Sequence, residues 1–216
     1  MRESGEFRLR ERTGAVAQRA AQEVRAVLRP FTIPNGITLL RLALTPFFFL
    51  AVVSGDYRLA FVLFLVAGIS DAVDGLLARW LAMRSLVGQY LDPIADKALL
   101  VTAYVALTWP AAGAVTIPIW LTVMALSRDV LIVLVALLLY LGAGIRDFRP
   151  SLWGKSTTVV HVVTVALVLL ANLVAIPPEY LLVCFYTALT LTIVSGLDYV
   201  RRAASVLESM HDARQG

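Results

Sequence analysis

Six long apolar runs, separated by short polar or turn-forming segments, dominate this 216-residue chain. They extend approximately over Pro34–Val53, Arg58–Leu81, Leu91–Trp109, Ile117–Leu141, Lys155–Ala175 and Glu179–Val200. Each is close to the ~20 residues that a helix needs to cross a bilayer. Their ends are punctuated by Ser54-Gly55-Asp56, by Pro110 with Gly113, by Gly142 with Gly144, by Pro150 and by Pro177-Pro178. Such residues stop helices by supplying positive φ or by removing a backbone donor. Ahead of the first run, Val16, Ala20, Val24, Val27 and Leu28 recur at helical spacing, with Arg19, Gln22, Glu23, Arg25 and Arg29 between them. This pattern predicts a short amphipathic helix over 13–30, lying on a membrane surface with its arginines toward anionic headgroups. The expected fold class is therefore an all-α integral membrane protein, with six transmembrane helices preceded by a short amphipathic interfacial helix. A disordered arm is expected over 1–12, one six-helix domain over 31–202 and a cytoplasmic tail over 203–216.

Composition agrees with a bilayer as solvent. Hydrophobic residues make up 59% of the chain and charged ones only 16%, whereas a soluble domain carries about 25% charged residues. The net charge of +4 matters through its placement. Arg2, Arg8, Arg10, Arg12, Arg19, Arg25 and Arg29 precede the first run, and further basic residues fall in 79–84, 146–155 and at Arg201-Arg202. The alternate loops hold only Arg58. The positive-inside rule then puts both termini and the basic loops in the cytoplasm, which six spans allow. A basic flank of this kind sets membrane orientation, so no nucleic-acid partner is expected. The first thirty residues lack the apolar core of a signal peptide, and retention in a bacterial inner membrane is expected to rest on the spans themselves. The single Cys184 has no partner for an internal disulfide and reads as a small core residue. His161, alone on the fifth run, reads as a packed helix residue, and Trp120 and Trp153 as interfacial anchors.

The chemistry stands in the second and third runs. Asp71 and Asp74 lie near the cytoplasmic end of one, Asp92 and Asp96 at the cytoplasmic start of the next. A carboxylate inside a span is costly unless paired or hydrated, and marks a functional site by default. Spacings of i,i+3 and i,i+4 put each pair on one helix face. A short turn between the runs makes the helices antiparallel neighbours with all four carboxylates at similar depth. Oxygen ligands without nearby His or Cys suit hard cations such as Mg²⁺ or Mn²⁺ rather than zinc. Two such ions about 4 Å apart can clamp a phosphoryl group undergoing in-line displacement. Gly75, Ala78 and Gly88 beside them leave room for a bulky substrate at the backbone; taken singly, each glycine equally suits tight helix packing.

The whole pattern, Asp71-x₂-Asp74-Gly75-x₂-Ala78-Arg79-x₈-Gly88-x₃-Asp92-x₃-Asp96, resembles the signature of the CDP-alcohol phosphatidyltransferases at every defined position. Ile33-Pro34-Asn35-x₂-Thr38-x₂-Arg41 is similar to the start of the first span in bacterial phosphatidylglycerophosphate synthases and CMP-forming cardiolipin synthases. The resemblance covers about 31–202. It implies a centre of two divalent cations, Mg²⁺ or Mn²⁺, held by Asp71, Asp74, Asp92 and Asp96, with Asp96 also the general base. It implies that Gly75, Ala78 and Gly88 lie against cytidine, Arg79 near the diphosphate, and Asn35 and Thr38 at the nucleotide wall. It further implies phosphatidyl transfer from CDP-diacylglycerol to a glycerol-containing phosphate acceptor with release of CMP, and a homodimer.

For the acceptor, Arg41, Arg128 and Lys155 are expected near cytoplasmic helix ends, where related enzymes bind the acceptor's phosphate; the simple alternative is that they anchor helix ends. Ser127-Arg128-Asp129-Val130-Leu131-Ile132 and Pro150-Ser151-x₂-Gly154-Lys155-x-Thr157-Thr158 look closer to the cardiolipin synthase pattern. The favoured acceptor is accordingly phosphatidylglycerol, with glycerol 3-phosphate as the alternative. A membrane prenyltransferase would present two separate Asp-rich motifs on a larger bundle. A cation transporter would place its carboxylates at the midplane, with broken helices or repeats. Neither fits one compact motif at the cytoplasmic side.

Overall fold

The computed structural model describes the backbone of residues 33–81, 86–143 and 152–215, and their side chains except at 33–35, 37, 71–94, 96, 140, 142–143, 152 and 206–215. The expected arm over 1–12 and amphipathic helix over 13–30 lie outside the described residues. The described residues form six helices: α1 Ile33–Val53, α2 Tyr57–Leu81, α3 Leu86–Thr108, α4 Ile119–Ala143, α5 Leu152–Ala171 and α6 Pro178–Gln215. No strand occurs among them. The chain is an all-α membrane protein.

Three stretches have both the length and the apolarity to cross a bilayer: Ile119–Leu139 in α4, Trp153–Ala171 in α5 and Pro178–Ser205 in α6. In the first three helices the apolar stretches among the described residues are shorter, at Thr38–Val53, Tyr57–Ser70 and Lys97–Thr108. The rest of each is its motif-bearing end. The helices themselves contain 21, 25 and 23 residues, each long enough to cross ~30 Å of hydrocarbon at 1.5 Å per residue. Large apolar side chains stand exposed along the molecule, among them Phe47, Leu50, Val62, Val133, Leu138, Val159, Val183 and Leu197. In water such a surface would aggregate; in lipid it is the solvated face.

The chain divides into two compact units. Among the described residues the first comprises 33–44, 66–81 and 86–99, that is, the start of α1, the end of α2 and the first part of α3. The second comprises 45–65, 100–143 and 152–215. In the second unit α4 and α5 both pack against α6. The buried side of α6 is a stripe of Leu181, Phe185, Ala188, Thr192, Ser195, Tyr199 and Ala203. The alternating three- and four-residue spacing is that of a helix seam, and its small members let neighbouring helices approach. Phe48 and Phe64 pack with ring centroids 5.9 Å apart where α1 and α2 adjoin.

The turns obey local rules. Gly55 closes α1 at φ 79°, a conformation that costs L-residues a Cβ clash. The amides of Ser54, Gly55 and Asp56 donate to the carbonyls of Leu50, Val52 and Ala51, and Asp56 Oδ1 caps α2 by accepting from Leu59 N at 3.0 Å. Three helices differ from the sequence expectation. The third begins at Leu86 rather than near Leu91. The fifth ends at Ala171, where Asn172 turns the chain: its Nδ2 donates to Val168 O at 2.8 Å and to Val115 O at 3.0 Å, and its Oδ1 accepts from Val115 N at 2.8 Å. The sixth runs to Gln215 instead of ending near Val200, because 201–215 holds neither Gly nor Pro and is rich in the helix formers Ala and Arg.

Candidate functional site

The first unit gathers every residue of the signature. Asp71, Asp74, Gly75, Ala78 and Arg79 fall in the C-terminal half of α2, and Gly88, Asp92 and Asp96 in the N-terminal half of α3. Asn35, Thr38 and Arg41 fall in the first turns of α1, in the same unit. With 1.5 Å of rise per residue, Asp71 and Asp74 are about 4.5 Å apart along α2, and Asp92 and Asp96 about 6 Å apart along α3. The side chains of the four aspartates, and of Asn35, Ala78 and Arg79, with the surroundings of Gly75 and Gly88, lie outside the described residues. Thr38 is completely buried, and Arg41 is only 2% exposed. An arginine so withdrawn from solvent is not a snorkelling surface anchor. The donor set, four carboxylates on two helix segments of one compact unit, is one that hard divalent cations accept.

The other two candidate cations belong to the second unit. Arg128 does not stand at a helix end: it lies well inside α4 and inside the stretch Ile119–Leu139, because the apolar run of α4 continues to Ala143. Its side chain is 11% exposed. One terminal nitrogen, Nη1, donates to Asp129 Oδ1 at 2.9 Å, and the other, Nη2, to Ser195 Oγ on α6 at 2.6 Å. The stem lies beside Gly196, where an added Cβ would meet Arg128 Cγ at 3.9 Å.

Lys155 is exposed in the first turn of α5. Its depth relative to Arg128 follows from the antiparallel register of α5 and α6. Thr164 Oγ1 meets Cys184 Sγ at 3.2 Å, His161 Nε2 meets Thr192 Oγ1 at 2.9 Å, and Thr157 Oγ1 donates to Leu191 O at 3.1 Å. Continuing this register by about one turn sets Ser195 level with the start of α5. Arg128 and Lys155 thus share a level, but not a face. Thr157 is buried against α6, and Lys155, two residues before it, is rotated about 200° around α5. Arg128 turns onto α6 and Lys155 turns away from it.

His161 is a packed residue, as its sequence context suggests. It is 5% exposed, with its ring 5.0 Å from that of Tyr104. Thr192 gives its own proton to Ala188 O, so Nε2 of His161 is the donor in their shared bond. Sequence reasoning missed Ser195, Thr192 and Asn172. The first two carry a usable signal, the seam spacing on α6; Asn172 shows only as a lone amide at the end of an apolar run.

Against known proteins, the family model described as CDP-alcohol phosphatidyltransferase matches residues 31–194. The CMP-forming cardiolipin synthase of Homo sapiens is 41% identical over 105 residues, covering 48% of this chain and 34% of that protein. The chain thus matches about a third of that relative's length. A probable phosphatidylglycerophosphate synthase of Mycobacterium tuberculosis is 34% identical over 198 residues, covering 88% of this chain and 87% of that protein. The CDP-diacylglycerol–glycerol-3-phosphate 3-phosphatidyltransferase of Bacillus subtilis is 30% identical over 198 residues, covering 83% and 98%.

Proposed function

The chain belongs to the CDP-alcohol phosphatidyltransferase family, and from that premise we propose that it transfers the phosphatidyl group of CDP-diacylglycerol to a glycerol-containing acceptor, releasing CMP. The observation that carries the reading is the convergence of the full signature on adjoining helix segments of one compact unit. Asp71, Asp74, Asp92 and Asp96 are the residues to hold two divalent cations, Mg²⁺ or Mn²⁺. Bound there, such ions would supply positive charge for the diphosphate and its leaving oxygen. Gly75, Ala78 and Gly88 give the cytidine access to the helix backbone, Asn35 and Thr38 wall it, and Arg79 meets the diphosphate. The acceptor's hydroxyl oxygen attacks the phosphorus that bears diacylglycerol. A new P–O bond forms, the P–O bond to CMP breaks, and Asp96 takes the hydroxyl proton. Arg41, Arg128 and Lys155 bind the acceptor's phosphate; because Arg128 and Lys155 occupy different faces, they serve as separate contacts rather than one clamp. The basic loops put this site and both termini on the cytoplasmic face of a bacterial inner membrane, and family likeness favours a homodimer.

Phosphatidylglycerol is the preferred acceptor, giving cardiolipin, on the strength of Ser127–Ile132 and Pro150–Thr158. A second reading, with glycerol 3-phosphate as acceptor, is favoured by the relatives that match over nearly their full length. The deciding experiment incubates the purified protein with CDP-diacylglycerol, Mg²⁺ and each acceptor in turn, following CMP and the lipid product. Cardiolipin is the expected product. Phosphatidylglycerophosphate as the main product would move the assignment to the second reading. Absence of CMP release with either acceptor would remove the transferase reading altogether.

A further inference from the structure

Arg128 is an arginine inside a membrane helix, and its guanidinium is restrained at two points. Nη1 is bonded to Asp129 at 2.9 Å and Nη2 to Ser195 at 2.6 Å, while Nε is buried with no hydrogen-bond partner among the described residues. The two restraints are not equivalent. Asp129 is the next residue on α4 and moves with Arg128, so it holds the side chain to its own helix and offsets part of its charge. Ser195 stands on α6, sixty-seven residues away in sequence, and fixes the guanidinium relative to a second helix. Because a serine hydroxyl is neutral, it orients the cation without cancelling its charge. A second carboxylate there would make the cluster net negative and repel an anionic ligand. A planar guanidinium held at both terminal nitrogens has its remaining N–H directions fixed. With Nε buried, the second N–H of each terminal nitrogen is the donor left to meet a phosphate.

We infer that Ser195 is a positioning residue: it holds the Arg128 guanidinium to α6 in the orientation that meets the acceptor's phosphate. The inference rests on the reading of Arg128 as an acceptor contact. Thr192 provides the internal comparison. It lies on the same buried stripe of α6, and its hydroxyl serves His161 rather than Arg128, so it supports packing only.

The test measures apparent KM for phosphatidylglycerol and for glycerol 3-phosphate, KM for CDP-diacylglycerol, kcat and the thermal midpoint. It compares the parent with Ser195→Ala, Ser195→Thr, Thr192→Ala, Arg128→Gln and the double variant Ser195→Ala/Arg128→Gln. Ser195→Ala is expected to raise the KM of the working acceptor about 3- to 10-fold, the scale of one hydrogen bond, without moving the CDP-diacylglycerol KM. Ser195→Thr, which keeps the hydroxyl, should restore most of the loss. Thr192→Ala should lower the thermal midpoint and leave the acceptor KM in place. With Arg128→Gln present, adding Ser195→Ala should have no further effect on KM, since the two act as one unit. The inference is overturned if Ser195→Ala changes only the thermal midpoint, or raises acceptor KM equally with and without Arg128. If Arg128→Gln itself leaves acceptor KM unchanged, the acceptor role of Arg128 fails first, and the role of Ser195 falls with it.

Discussion

At the scale of single residues, the energetics are set by charge in a poor solvent. An ionised aspartate inside a span costs several kcal/mol unless something compensates it, and four on adjoining helix segments also repel one another. On the proposed reading, bound cations would offset both penalties and couple the site's charge to its function. Asp74→Asn and Asp92→Asn keep the size of the side chain and remove one negative ligand each. Either is expected to lower kcat at least about 100-fold, the scale of losing a group that stabilises developing charge. Chelation of the parent with EDTA should have the same effect, reversed by Mg²⁺ or Mn²⁺. Purified variants that turn over at the parent's rate, or a parent that works after exhaustive chelation, would contradict the two-cation assignment. These aspartates were legible in the sequence because their spacing is local, within two consecutive helices. The Arg128–Ser195 bond was not: it joins residues far apart in the chain, and the seam spacing on α6 marks Ser195 as buried without naming its partner.

At the scale of elements, the helix ends are where sequence and structure agree most and differ most. Ser54-Gly55-Asp56 marks the first turn correctly because each residue does one local job: Gly55 takes the positive φ and Asp56 caps the next helix. The end of α5 was placed several residues late, since Leu173-Val174-Ala175 continues the apolar run. What stops the helix is a long-range contact. Asn172 offers its amide to Val115 as a backbone would, one bond donated and one accepted, tying the α3–α4 connection to the end of α5. Asn172→Ala would leave both polar groups of Val115 without these partners, a cost of about 1–3 kcal/mol. The expected outcome is a lower midpoint of thermal unfolding in detergent with kcat and both KM values retained, since this turn lies at the opposite end of α5 from Lys155. A variant equally stable to heat would show that Asn172 is replaceable by lipid headgroups or water.

At the scale of the whole molecule, the question is which side of the membrane the site faces. In the proposed topology six crossings return the chain to its starting side, and the basic residues cluster at the N-terminal arm, 79–84, 146–155 and 201–202. Each such charge resists transfer across the bilayer, and the proposed orientation accordingly has the ends of α2 and α6 and the starts of α3 and α5 in the cytoplasm. The α3–α4 connection, with Ala112 exposed at its turn, then lies on the far side. The chain carries a single cysteine, Cys184, so Cys184→Ser gives a background in which one introduced thiol reports one location. In this background Ala112→Cys should react with a membrane-impermeant maleimide in intact bacterial cells. Ser209→Cys, near the end of α6, should react only after the inner membrane is opened. The reverse pattern would invert the molecule and put its nucleotide site where no cytoplasmic CDP-lipid could reach it. Labelling of both positions in intact cells would mean that Ala112 and Ser209 share a side, which α4, α5 and α6 as three successive crossings do not permit.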